Sequence, residues 1–240
     1  MRHPHARLAC ERLPPHPHGD NRGTRIGILG GSFNPAHEGH LHIARMALRR
    51  LRLDQVWLLV SPGNPLKEAA GMAPLAERLA HAQTIADGKR IIATDIERHL
   101  HTRFTYDTLR VLKLRFPRAR FVWLMGADNL AQFSLWRGWM GIARIVPFAV
   151  LPRPTYNRAA AASQAAVRLA PARLPARQAP VLADLVPPAW VFLGGRQSAL
   201  SATAIRRAAA GEDQSPESQR PPPPPAPRNP NAAPRNRPPR

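Results

Sequence analysis

A single cysteine, Cys10, stands in 240 residues, leaving no second thiol for a disulfide framework or a Cys-based zinc site. A reducing compartment is the expectation. Long apolar runs are missing too: none reaches the roughly 20 residues needed to span a bilayer, and Arg, His and Pro occupy the start, where a secretory signal needs an apolar core. The chain is therefore expected to be soluble and cytoplasmic, without a membrane partner. Acidic residues are scarce, 15 against 35 Lys and Arg, for a formal charge of +20. That excess attracts phosphate. The arginines are nevertheless scattered, with no basic run interleaved with aromatics, which argues against nucleic-acid binding and for an anionic nucleotide substrate.

What the chain does have is 44% hydrophobic residues, enough for one packed α/β domain with surplus at both ends. Residues 1–23 mix His and Pro without periodicity and read as a disordered extension; their histidine spacing matches no defined metal site. Residues 212–240 turn to Pro, Arg and Asn, with five consecutive prolines from Pro221, and read as a polyproline-like or disordered tail. The domain is expected over 24–211.

Within it, an apolar strand from Ile26 ends at Gly30 and Gly31, and Ser32, Phe33, Asn34 and Pro35 lead into a helix over 38–51. Double glycine lets a ligand approach the main chain, and the adjoining helix N-terminus favours a phosphate. His37 and His40, three apart, are expected on one face of the first helical turn. Two imidazoles there can donate to phosphate oxygens as charge develops on them. The spacing is neither a Walker loop, lacking Gly-Lys-Ser/Thr, nor a dinucleotide fingerprint.

Further strands are expected over 55–60, 90–94, 120–125, 144–151 and 191–193, and an amphipathic helix over 74–86. The alternation predicts a doubly wound parallel sheet, Rossmann-like, in the order 3-2-1-4-5 with right-handed crossovers. Lys67 closes a loop stiffened by Pro62 and Pro65, where an ammonium can meet phosphate. Asp95 and Glu97, just past the third strand, read as a solvated strand end rather than metal ligands. Asp128 follows the fourth strand at the carboxyl edge, where open parallel sheets bind ligands. Trp136 and Trp139, three apart, would share a helix face, and by spacing alone they read as core. Ser201 and Thr203 begin a capped helix with Arg206 on its first turns. Residues 157–184, rich in Ala and Arg, carry no assignable role.

Gly30-Gly31-Ser32-Phe33-Asn34-Pro35 followed by His37-Glu38-Gly39-His40 resembles the signature of the HxGH nucleotidyltransferases, and within them most closely the bacterial nicotinate-nucleotide adenylyltransferases. The resemblance runs from about residue 24 to 211. It implies adenylyl transfer from ATP to nicotinate mononucleotide, giving deamido-NAD and pyrophosphate, with Mg²⁺ carried mainly on the ATP phosphates; protein ligands for the metal are not evident in the sequence. By the same resemblance His37, His40 and Arg206 would be catalytic. Gly30, Gly31, Ser32, Lys67, Asp128, Ser201 and Thr203 would hold the nucleotide and its phosphates. Phe104, Thr105, Trp136 and Trp139 would face the pyridine nucleotide, where stacking joins cation–π attraction. Three departures stand out: Phe104 where the family commonly has tyrosine, Ala202 where it has a hydroxyl, and a Pro-rich end where it has an apolar segment and a helix.

Overall fold

The computed structural model describes residues 15–63, 72–153 and 155–194. Its strands are β1 (Arg25–Gly31), β2 (Gln55–Val60), β3 (Ile91–Thr94), β4 (Arg120–Gly126), β5 (Phe148–Leu151), β6 (Arg173–Leu174) and β7 (Trp190–Phe192). All pair in parallel, in the order β3-β2-β1-β4-β5-β7-β6. The expected 3-2-1-4-5 core is present, extended by two short strands. The helices are α1 (Glu38–Arg50), α2 (Leu75–Ile85), α3 (Ile96–His99), α4 (Thr105–Arg115), α5 (Ala127–Ala131), α6 (Trp139–Ile145), α7 (Asn157–Ala161) and α8 (Gln164–Arg168), with a 3-10 helix over Ala176–Asp184.

Near-continuous apolar strands are the mark of a parallel sheet covered on both faces. Alternation divides them into two cores. Ile28, Trp57, Leu59, Phe121, Trp123 and Phe148 pack with Leu109, Leu112, Leu130 and Ile142 from the helices on one side. Leu29, Val56, Leu58, Val122 and Leu124 pack with Leu41, Ala44, Leu48 and Ala82 of α1 and α2 on the other. Trp190, fully buried, stacks on Phe148 at 5.4 Å, and its indole N–H donates to the Leu169 carbonyl at 2.7 Å. Through that contact the 157–184 segment is joined to the sheet. Its 3-10 helix also supplies Asp184, whose carboxylate takes ion pairs from Arg25 at 2.7 Å and Arg120 at 2.5 Å, bridging β1 and β4.

Three expectations need correction. Arg144 and Ile145 end α6 rather than beginning strand five, which starts at Phe148. The apolar run there is continuous, and only the helix's exit into extended backbone at Val146 separates the two elements. Trp136 and Trp139 do not share a helix: Gly138 lies between them at φ 67, a left-handed conformation that favours glycine, and α6 begins only at Trp139. Glu97 is not a solvated residue; it is 7% exposed.

Burial raises the Glu97 pKa to about 7, against a smaller opposing effect from Thr108. Thr108 Oγ1 stands 2.8 Å from Glu97 Oε1, 3.0 Å from Thr102 Oγ1 and 3.2 Å from the Phe104 carbonyl oxygen. One hydroxyl proton serves one acceptor, and a protonated Glu97 adds a donor to those of Thr108 and Thr102 in this cluster. Because the folded pKa is raised, the carboxyl's contribution to stability is complete below about 4.5 and is lost as pH rises through about 7. Glu97→Gln keeps an acceptor and a donor without the proton equilibrium. The variant is expected to melt with wild type near pH 4.5 and to exceed it above pH 7 by on the order of 1–3 kcal/mol. Thermal melts at both values check this; a variant less stable at pH 8 refutes a protonated Glu97.

Residues 15–22 turn along the end of α4, with Gly19 at φ 81 against the Arg115 carbonyl. Residues 212–240 and most of the N-terminal extension lie outside the described residues.

Candidate active site

β1 lies between β2 and β4, so the chain's crossover from one side of the sheet to the other opens a crevice at their carboxyl ends. Gly30 and Gly31 close β1 there, paired with Leu59 and Val60. A Cβ on Gly30 would stand 2.6 Å from the ring of Trp123, so the neighbouring strand's tryptophan already uses the space a side chain would take. Ser32 follows, and Phe33 then adopts φ 47, a conformation a bulky residue rarely takes. Its ring is 1% exposed and 4.7 Å from that of His40, so burial offsets the backbone strain and the ring backs the histidine.

His37 is the N-cap of α1, not a first-turn residue as expected; His40 is its N3 position. The Gly39 N–H donates to His37 Nδ1 at 3.1 Å, and the His37 N–H donates to His40 Nδ1 at 3.1 Å. Two of the helix's unpaired amides are thus satisfied reciprocally, by imidazoles in place of the usual Ser and Glu. The tautomer follows. A ring nitrogen that accepts carries no proton, so each neutral imidazole keeps its hydrogen on Nε2, where it can donate away from the helix. The ring centroids are 3.8 Å apart.

Both imidazoles are held neutral. Burial lowers His37 to about 4, with the Arg153 charge adding to it. Burial lowers His40 to about 3, followed by the effects of His37 and Arg153. Arg153 lies two residues past β5, at the same sheet edge, and its Nε is 3.6 Å from Asp128 Oδ1. Neither atom has a hydrogen-bonding partner among the described residues although both are buried. An unpaired guanidinium nitrogen beside an unpaired carboxylate oxygen is ready to exchange a weak mutual contact for a ligand.

The α4 N-terminus and the turn before α6 are brought together beyond this. Phe104 is the N-cap of α4 and Thr105 its first residue. The Arg137 guanidinium lies 4.5 Å over the Phe104 ring and 3.5 Å from the Asp107 carboxylate. Tyr106 fills the space over Gly138 and Gly141. Trp136 and Trp139, both half-buried, flank Phe133 at 5.4 and 5.9 Å, and Trp136 meets Trp123 edge-on at 6.2 Å. Arg137 thus links Phe104 at the α4 N-terminus to the turn that carries Trp136 and Trp139.

Lys67, Ser201, Thr203 and Arg206 lie outside the described residues. Arg153 was not singled out from the sequence, although the strand-end argument that found Asp128 applies equally to a cation just past the fifth strand. Among the described residues no helix is long and apolar enough to cross a membrane, and no group of three His, Cys, Asp or Glu is placed to hold a metal ion.

The profile of the family described as cytidylyltransferase-like matches residues 28–208. A protein of Gluconacetobacter diazotrophicus named probable nicotinate-nucleotide adenylyltransferase is 62% identical over 191 residues, 80% of this chain and 89% of that one. Proteins of the same name from Gluconobacter oxydans and Parvibaculum lavamentivorans are 60% and 55% identical, over 76% and 77% of this chain and 93% and 92% of theirs. Among solved structures, Plasmodium falciparum nicotinic acid mononucleotide adenylyltransferase complexed with NaAD matches with a TM-score of 0.58 at 16% identity, over 77% of this chain and 83% of that one. That last likeness is one of fold.

Proposed function

The chain belongs to the cytidylyltransferase-like family, and within it to the nicotinate-nucleotide adenylyltransferases, and from that premise we propose how its carboxyl-edge crevice performs the reaction. The activity is adenylyl transfer from ATP to nicotinate mononucleotide, producing deamido-NAD and pyrophosphate in NAD biosynthesis. Its nucleophile is the substrate's own phosphate, already an anion, which attacks the α-phosphorus in line. No protein nucleophile is required, so rate comes from positioning and charge stabilisation.

The observation that carries the residue assignment is the pair of imidazoles locked with Nδ1 accepting and Nε2–H free, beside a cation with an unpaired nitrogen. His37 and His40 donate from Nε2 to phosphate oxygens, gaining strength as charge moves onto the departing pyrophosphate. Arg153 leaves Asp128 for the same anion, a charge-assisted contact. Gly30, Gly31 and Ser32 border the nucleotide at the end of β1, where the missing side chains leave room for Trp123 and Phe33, and Asp128 holds it. Lys67, Ser201, Thr203 and Arg206 complete the phosphate contacts on the strength of their motifs. Phe104, Thr105, Trp136 and Trp139 receive the pyridine ring, the flat apolar wall matching a flat pyridinium.

A divalent metal suits this chemistry, and we assign it as Mg²⁺ arriving on the triphosphate. The described residues fit that arrangement: Asp128, the carboxylate among them at this phosphate cluster, faces an arginine rather than a second carboxylate. When bound, the metal offsets triphosphate charge, its ligands being mainly ATP oxygens and water.

Pyrophosphate release with ATP and each of nicotinate mononucleotide, nicotinamide mononucleotide and pantetheine phosphate tests the reading. Nicotinate mononucleotide is expected to give a kcat/KM at least roughly tenfold above the others, about 1.4 kcal/mol of discrimination. Equal or greater turnover with either rival acceptor overturns the substrate assignment.

A further inference from the structure

Arg78 reaches from α2 into the floor of the crevice and is 3% exposed. Four of its five N–H groups go to main-chain carbonyls: Nε to Ala73 at 2.8 Å, Nη1 to Ser32 at 2.6 Å and to Ser61 at 2.9 Å, and Nη2 to Pro62 at 3.4 Å. No carboxylate of the described residues pairs with it. Burying a guanidinium is expensive unless it is fully hydrogen-bonded, so a chain keeps such a group where its geometry is needed. Arginine suits the task, having five donors in a rigid plane and a charge that survives burial.

The carbonyls it gathers define its role. Ser32 belongs to the turn between β1 and α1, Ser61 and Pro62 to the segment leaving β2, and Ala73 to the approach to α2. The turn and the β2 exit are otherwise joined by the Ser61 N–H donating to the Gly31 carbonyl at 3.0 Å. Across a planar trans peptide the N–H points opposite to the C=O. Holding the Ser32 carbonyl on Arg78 therefore directs the Phe33 N–H the other way and sets the backbone in which Phe33, at φ 47, is kept strained against His40.

We propose that Arg78 is a positioning residue for the nucleotide: it fastens the β1–α1 turn to the β2 exit in the form that receives the ATP polyphosphate, and its charge beneath that turn adds to the attraction. This rests on the nucleotidyltransferase reading of the crevice. The acceptor wall around Phe104 and Trp136 is not among the groups Arg78 holds, so its loss falls on ATP and not on the mononucleotide.

The test uses the full chain with Arg78→Lys, which keeps the charge but offers one donor point, and Arg78→Met, which removes charge and donors. Each is measured by calorimetric titration with a non-hydrolysable ATP analogue alone and by steady-state kinetics in both substrates. Arg78→Lys is expected to raise the analogue Kd and the ATP KM roughly tenfold while the mononucleotide KM moves less than about twofold. Arg78→Met is expected to raise them further. If Arg78→Met does not fold, Arg78→Lys alone decides. Equal rises in both KM values, or a lowered melting temperature with the analogue Kd unchanged, overturn the proposal. Because analogue binding needs no acceptor, wild type that binds the analogue but does not turn over nicotinate mononucleotide would refute the substrate assignment while leaving this test readable.

Discussion

Purified His40→Ala protein is expected to fold and to release pyrophosphate at a kcat lower by roughly 10²- to 10³-fold, the loss that follows removal of one transition-state donor. The residue has two duties, and the variant removes both. As the N3 half of the capping box it accepts the His37 N–H, and losing a cap costs about 0.5–2 kcal/mol, less than a domain of this size needs to stay folded. As the bearer of an Nε2–H it is the proposed donor to phosphate. His40→Asn separates them, because the Asn side-chain oxygen can replace Nδ1 as acceptor for the His37 amide while nothing replaces Nε2. Melting should then recover toward wild type while turnover stays at the level of His40→Ala. Turnover recovering together with melting would show that His40 acts only as a cap, and near-wild-type turnover in folded His40→Ala would remove it from the reaction.

The strand, the double glycine and the helix of this turn were legible because their signals are local: an apolar run, residues that permit close approach, a start signal and a period. Alternation of strand and helix, taken with right-handed crossovers, led to the 3-2-1-4-5 order that the sheet has. What locality does not carry is the direction of a backbone amide, and so His37 emerges as a cap rather than a member of the first turn. Trp136 and Trp139 look like helix neighbours at a spacing of three; one left-handed glycine between them decides otherwise. Glu97 looks solvated beside Asp95, and its burial comes from α4 packing over it through Thr108, 11 positions away. Arg78 is the extreme case, meeting Ser32 across 46 positions in a chain so rich in arginine that one outside a motif does not stand out. The family motif for the second phosphate-binding segment, Ser201 to Arg206, lies outside the described residues and rests on pattern alone. Arg153 lies between these cases: its place at a strand end could be read, its partnership with the histidines could not.

Replacing Arg153 by Met should lower kcat/KM roughly 10²-fold and, independently of substrate, should change how the two histidines titrate. In the wild type burial is the larger cause of their low pKa values, about 4 for His37 and about 3 for His40, with the Arg153 charge adding to it. Without that charge both imidazoles take up protons at higher pH than in the wild type, yet still below 6.5, because burial is unchanged. Nitrogen-edited NMR of the free protein follows each ring. Linkage gives a second consequence with a definite sign. A histidine whose folded pKa is depressed leaves the unfolded chain binding more protons as pH falls below 6.5, so the wild type loses stability from there down to about 3. Arg153→Met narrows that gap, and the drop in melting temperature between pH 7 and pH 4 should shrink, most of the difference arising below pH 5. Asp128→Asn supplies the contrast. It removes the carboxylate 3.6 Å from Nε and leaves the cation, so the imidazoles remain at or below their wild-type pKa values. Titrations in Arg153→Met that overlay the wild type would mean the guanidinium does not face the histidines. Shifted titrations with unimpaired turnover would leave Arg153 as the charge that keeps the rings neutral but not as a ligand of the phosphate.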